Sequence, residues 1–225
     1  MRSALRLLSA ALLIGVLPPA LASGGGMMPQ AMPRIASPEQ QARDLFNDGV
    51  GYVKKADKVD AEAAQATDAG KRERAGKDAR ARYASALGKF QQSLQRNPQL
   101  PEAWNYLGYT SRKLGNYADA LTAYEKALAL KPGYPDAIEY RGEAFLGVNR
   151  PEDAKQAYLD LFAGNRSLAD KLLAAMKAWV ATQRANPGGG DAASVDELDK
   201  WIQERAQISA QTAALTRAGT AAAWR

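Results

Sequence analysis

One spacing limits what this chain can fold into: chemically matched residues recur every 34 positions. Ala86, Ala120 and Ala154 stand 34 apart, as do Phe90, Tyr124 and Tyr158, and Leu94, Leu128 and Phe162. Tyr83 and Tyr117, Pro98 and Pro132, Trp104 and Ile138, and Gly108 and Gly142 keep the same interval. Small residues fall on small ones and aromatics on aromatics, so one supersecondary unit is repeated. Within each unit the apolar and small positions lie three, four or seven apart, which places them on one face of a helix. Leu114-Gly115-Asn116-Tyr117 reads as a turn between two helices. Asn97-Pro98 and Lys131-Pro132-Gly133 close the second helix of a pair, because proline cannot continue it and glycine relaxes the turn. A lone helix pair cannot bury its apolar side, so the pairs must stack. Hydrophobic residues make up 46% of the chain but aromatics only 8%, a mixture that suits helices better than a β-sandwich.

The segment Pro101 to Tyr134 resembles a tetratricopeptide repeat almost throughout, through Trp104, Leu107, Gly108, Gly115, Tyr117, Ala120, Tyr124, Ala127 and Pro132. Pro135 to Leu168 resembles it more loosely, through Ile138, Gly142, Phe145, Ala154 and Tyr158. There Asn149 stands where the turn glycine is usual, and Arg166 replaces the closing proline. The resemblance implies an all-α fold: a right-handed α-solenoid of about three helix-turn-helix repeats.

The first repeat is elongated. Leu45, Gly49 and Tyr52 repeat the spacing of Trp104, Gly108 and Ser111, while Tyr83, Ala86, Phe90 and Pro98 repeat the second half of the unit. Gly49 and Ala86 are 37 residues apart, against 12 for Gly108 and Ala120, a difference of 25. That is about seven helical turns at 3.6 residues per turn, so an insertion of whole turns keeps both apolar faces in register. Residues 38–100 are therefore expected to form one long hairpin whose helices meet near Asp68 to Gly76. Its inserted part, Val53 to Arg82, carries nine basic residues against six acidic ones. Such a charge run reads as a solvated helical face, or as a basic arm (54–82) that holds an anionic envelope polymer or membrane surface.

The ends are organised differently. Arg2 and Arg6 precede an uncharged apolar run, Leu7 to Leu17, then Pro18-Pro19 and the small-x-small Ala20-Leu21-Ala22. The run is much shorter than the roughly 20 residues of a membrane span, so 1–22 reads as a signal peptide cleaved after Ala22. Cleavage removes two arginines and no acid, taking the net charge from +6 to +4 (28 basic minus 24 acidic). The expected product is exported and most simply periplasmic. With no cysteine to carry lipid, it would be soluble rather than acyl-anchored. Residues 23–37, rich in Gly, Met and Pro, read as a flexible leader; three thioethers, Met27, Met28 and Met32, are a weak soft-metal signal, and no metal or cofactor is assigned. After the repeats, 169–225 reads as capping helices. Ser167 to Ala185 has one apolar face, Asn186 to Gly190 is a break, and Ser194-Val195-Asp196-Glu197 resembles a capping box that opens another helix.

The chain contains no histidine and no cysteine, so the commonest general base, the thiol nucleophile and the usual zinc ligands are missing. No phosphate-binding glycine loop follows a strand, and a mildly basic, mixed charge set points away from nucleic acid. Glu139 and Glu143, one turn apart, read as a surface charge pair rather than an acid and a base. The chain is thus read as non-enzymatic.

In the tetratricopeptide family the first helix of each repeat lines the concave face, along which a partner peptide lies. Carried over by register, that face here presents Asn105, Tyr109, Arg112 and Lys113 from the second repeat, and Glu139, Tyr140 and Glu143 from the third. Tyrosine and arginine are favoured at interface hot spots, and the mixed signs suit a polar extended segment of a protein partner. Some family members bind acidic chaperone tails through a fixed set of Lys, Asn and Arg. The matching places here hold Phe46, Val50, Tyr106, Asp136 and Tyr140, which disfavours that role. The expected function is an exported scaffold or adaptor that binds a segment or helix of a cell-envelope protein.

Overall fold

A computed structural model describes residues 36–186 and 191–222, with side chains to Thr212 and at Ala214. The expected signal peptide, most of the expected 23–37 leader with its methionines, and the 188–190 glycines lie outside the described residues. The described chain is all-α: α1 (Pro38–Gln65), α2 (Ala69–Arg96), α3 (Pro101–Lys113), α4 (Tyr117–Leu130), α5 (Pro135–Gly147), α6 (Pro151–Gly164), α7 (Arg166–Ala185) and α8 (Ala192–Ala222). Each helix packs on the next, and α3, α5 and α7 also pack side by side, as stacked hairpins require.

Local chemistry sets the boundaries. Proline opens α1, α3, α5 and α6, where its missing N–H costs nothing. Ser37 accepts from Gln40 N at 3.2 Å and Asn165 from Leu168 N at 3.1 Å, capping α1 and α7. The α3–α4 turn passes through Gly115 at φ 88°, and the α5–α6 turn passes through Asn149 at φ 57°. Asparagine replaces the repeat's turn glycine here because it tolerates the left-handed region better than other side chains do.

Two expectations need correction. The turn of the long hairpin lies at Ala66 to Asp68, ahead of the 68–76 expected from the sequence. Asp68 Oδ1 accepts from Lys71 N at 2.7 Å, and Arg72 Nη2 reaches back to the Ala66 carbonyl at 2.9 Å. These contacts start α2 before Gly70, so Gly70 and Gly76 sit inside the helix. The Ser194 to Glu197 box does not open α8 either. Asp191 caps it, accepting from Ser194 N at 3.3 Å and from Ser194 Oγ at 3.1 Å.

The packing explains the repeat. A Cβ on Gly108 would lie 2.5 Å from Tyr124 Cε1, and one on Gly49 2.5 Å from Phe90 Cε1. In both hairpins glycine admits the aromatic ring 34 residues apart in the periodic set. Gly108 therefore meets the ring, while Ala120 is buried elsewhere in the same core. At Gly142 the contact changes partner, and Leu172 of α7 fills the place at 2.6 Å. This joins the last repeat to the terminal helices, whose Leu172, Met176, Val180, Leu198 and Ile202 form one core with Ile138, Phe145 and Tyr158.

Candidate partner-binding groove

The binding face expected from register is built by α1, α3, α5 and α7, and its side chains form a connected polar and aromatic network. Asp57 on α1 accepts hydroxyls from Tyr83 at 2.6 Å and Tyr109 at 2.7 Å. Burial, reinforced by Asp57, holds both phenols well above their ordinary pKa. Tyr109 packs on Tyr140 of α5 with ring centroids 5.0 Å apart. The Arg112 guanidinium lies 5.3 Å from the Tyr109 ring centroid and 5.5 Å from that of Tyr140, and it pairs with Glu143. Lys113 pairs with Asp60 on α1 and sits 5.3 Å from the Tyr83 ring centroid.

The seven residues expected on this face divide by depth. Arg112, Lys113, Glu143, Tyr109 and Tyr140 are half-buried. Arg112, Lys113 and Glu143 share the wall of one pocket. Asn105 and Glu139 are each only 2% exposed and lie beneath the surface rather than on it. Glu139 is not the solvated charge read from the sequence. Desolvation, with Glu143 beside it, pushes its pKa up to about 8.

The pocket is a cleft of about 350 Å³ at the C-terminal ends of α3 and α5, walled on the far side by α7. Besides the three charged groups it is lined by Tyr117, Leu146 and Trp179. Trp179 and Tyr117 were legible only as packing residues, and Asp57 and Asp60 only as part of the basic arm. The signal that could have found the acids is their spacing. Three residues apart on α1, they face Tyr109 and Lys113, four apart on α3. A larger crevice of about 550 Å³ separates α7 from α8, with Leu173, Ala174, Ile202 and Ala206 along it, and belongs to the end cap. Among the described residues no acidic cluster could hold a metal ion, and no helix is long and apolar enough to cross a membrane.

Residues 101–134, the α3–α4 hairpin, match the family model for the tetratricopeptide repeat. The α3–α4 hairpin is a tetratricopeptide repeat. No match is found among curated proteins. Several solved structures of tetratricopeptide domains are similar at low identity. The first such domain of Spaghetti (RPAP3), bound to the HSP90 peptide SRMEEVD, is 21% identical with a TM-score of 0.47, over 62% of this chain and 94% of that one. The TPR2B domain of yeast Sti1 in its pHsp70 complex is 14% identical with a TM-score of 0.38, over 73% and 98%. MamA is 17% identical with a TM-score of 0.41, over 79% and 99%. Beside this tetratricopeptide repeat, the elongated α1 supplies the Asp57 and Asp60 contacts that hold Tyr109 and Lys113 of α3.

Proposed function

We propose that this protein is a non-enzymatic, exported adaptor that takes a short segment of a cell-envelope protein along the face of α3, α5 and α7. The observation that carries the reading is the cleft at Arg112, Lys113, Glu143 and Trp179. It combines an aromatic anchor surface with charged groups held in fixed geometry by Asp60, Tyr109 and Tyr140. Such preorganised side chains lose little entropy on binding. Export rests on the first 22 residues of the sequence. The alternative, a basic arm gripping an anionic surface, is less well supported. Lys77 and Arg82 are paired with Glu73 and Asp78, and Arg72, Arg74 and Arg80 donate to backbone carbonyls.

The test places a photocrosslinking residue at Lys113 and, as control, at the exposed Glu125 of α4, in cells that express the full chain. The reading expects one discrete adduct from position 113, none from 125, and loss of the adduct in Trp179→Ala with helicity unchanged. Equal adducts from both positions would discard the groove.

A further inference from the structure

The cleft has a second carboxylate behind the first. Glu139 lies one turn before Glu143 on α5, is almost wholly buried, and its Oε2 meets no donor. The group beside it is the Glu143 carboxylate. A carboxylate buried without a donor, with a second carboxylate one turn away, ionises with difficulty, so Glu139 holds its proton. The nearby cations, Arg112 and Lys171, favour the ionised form but are outweighed by burial and by Glu143. Arg112 of α3 is engaged by Glu143, and Lys171 of α7 is exposed to water. Tyr124 of α4 and Tyr140 of α5 are neutral phenols, and α6 brings Ala157 against Gly142. Asp57 of α1 and Asp136 of α5 add further negative charge near this face.

The same place is favourable for a cation. Lys113 and Gly147, the last residues of α3 and α5, both line the cleft, so two carbonyl-bearing helix ends meet there. Tyr117 and Trp179 line the cleft, and aromatic rings attract a guanidinium or ammonium. The cations already present are neutralised, Lys113 by Asp60 and Arg112 by Glu143.

We propose that the cleft is a proton-coupled seat for a basic side chain of the bound segment. An arginine or lysine enters against Glu143 beside Trp179, and its charge expels to solvent the proton held by Glu139. This rests on the reading of the groove as a protein-binding face and adds the chemistry of its occupant. Binding takes up one cation and releases one proton, so affinity rises with pH by up to about tenfold per unit while Glu139 is protonated.

The test titrates N-acetyl-arginine amide into the full chain at several pH values between about 6 and 8 and follows the Trp179 indole NMR signal. The expected result is saturable binding that tightens with pH, a flattened pH dependence in Glu139→Gln, and loss of binding in Glu143→Gln. N-acetyl-norleucine amide and N-acetyl-glutamate amide should bind more weakly. A pH-independent Kd in the unmodified protein, equal binding of the norleucine amide, tighter binding of the glutamate amide, or no saturable binding at all would overturn the proposal. A partner adduct at Lys113 without proton linkage removes this inference alone. Proton-linked arginine binding without a partner adduct removes the adaptor reading alone.

Discussion

Tyr109 on α3 donates its hydroxyl to Asp57 Oδ1 on α1 at 2.7 Å, and Tyr83 on α2 donates to the same oxygen at 2.6 Å. One carboxylate therefore ties the long hairpin to the second repeat. Asp57→Ala removes the acceptor for two part-buried hydroxyls and should destabilise by about 2–4 kcal/mol, since hydrogen bonds to a charged group contribute more than neutral ones. Asp57→Asn keeps an acceptor oxygen and should lose about half as much. Urea-unfolding midpoints measure both, and equal losses would assign the effect to charge rather than to hydrogen bonding.

Glu139 makes stability depend on pH in an unusual direction for a carboxylate. Its folded pKa, about 8, lies above its ordinary value of 4.5. Between those values the folded state binds more protons than the unfolded one. Glu139's contribution is fully present below about pH 4.5 and is lost as pH rises through about 8, by roughly 2–4 kcal/mol. Glu139→Gln keeps the shape without the charge. It should be more stable than the unmodified protein at pH 8 and show a flatter profile from pH 5 to 8. Parallel profiles for the two proteins would sink the idea.

Much of this fold was legible because the period reports packing. Residues that recur 34 apart take equivalent places in successive hairpins, so Gly108 meets Tyr124 as Gly49 meets Phe90. The first repeat's insertion was legible because whole helical turns preserve the facing stripes. The turn position was not, because it depends on Asp68 and Arg72 reaching backbone groups rather than on periodicity. The depth of the binding-face residues was also hidden. Register placed Glu139 and Glu143 on one face, but whether a carboxylate is solvated depends on α7, which follows no repeat pattern. The same holds for Trp179, which reads as core until α7 is laid beside α5.

Asn149 tests the turn chemistry of the looser repeat. At φ 57° it holds the left-handed conformation that the preceding repeat assigns to Gly115. Asn149→Ala forces a Cβ residue into that region without asparagine's tolerance, and should cost about 1 kcal/mol. Asn149→Gly removes the steric penalty and should cost less than Asn149→Ala. Thermal melts of the two variants read the difference. Equal melting temperatures would show that the backbone shifts to relieve the strain.

The close approach at Gly108 makes the sharpest packing prediction. An added Cβ would sit 2.5–2.8 Å from three atoms of the Tyr124 ring, which is itself fully buried. The ring cannot retreat without disturbing Tyr140, whose centroid is 6.4 Å away. Gly108→Ala should therefore destabilise by about 1–3 kcal/mol, as overpacking in a dense core does. Gly88 provides the opposite case inside α2, since a Cβ there meets nothing within 4 Å. Gly88→Ala should gain about 0.5–1 kcal/mol by restricting the unfolded chain and favouring the helix. Denaturant midpoints measured side by side distinguish a steric constraint from a mere helix preference. If both substitutions raised the midpoint, the α3–α4 contact would be looser than its distances imply.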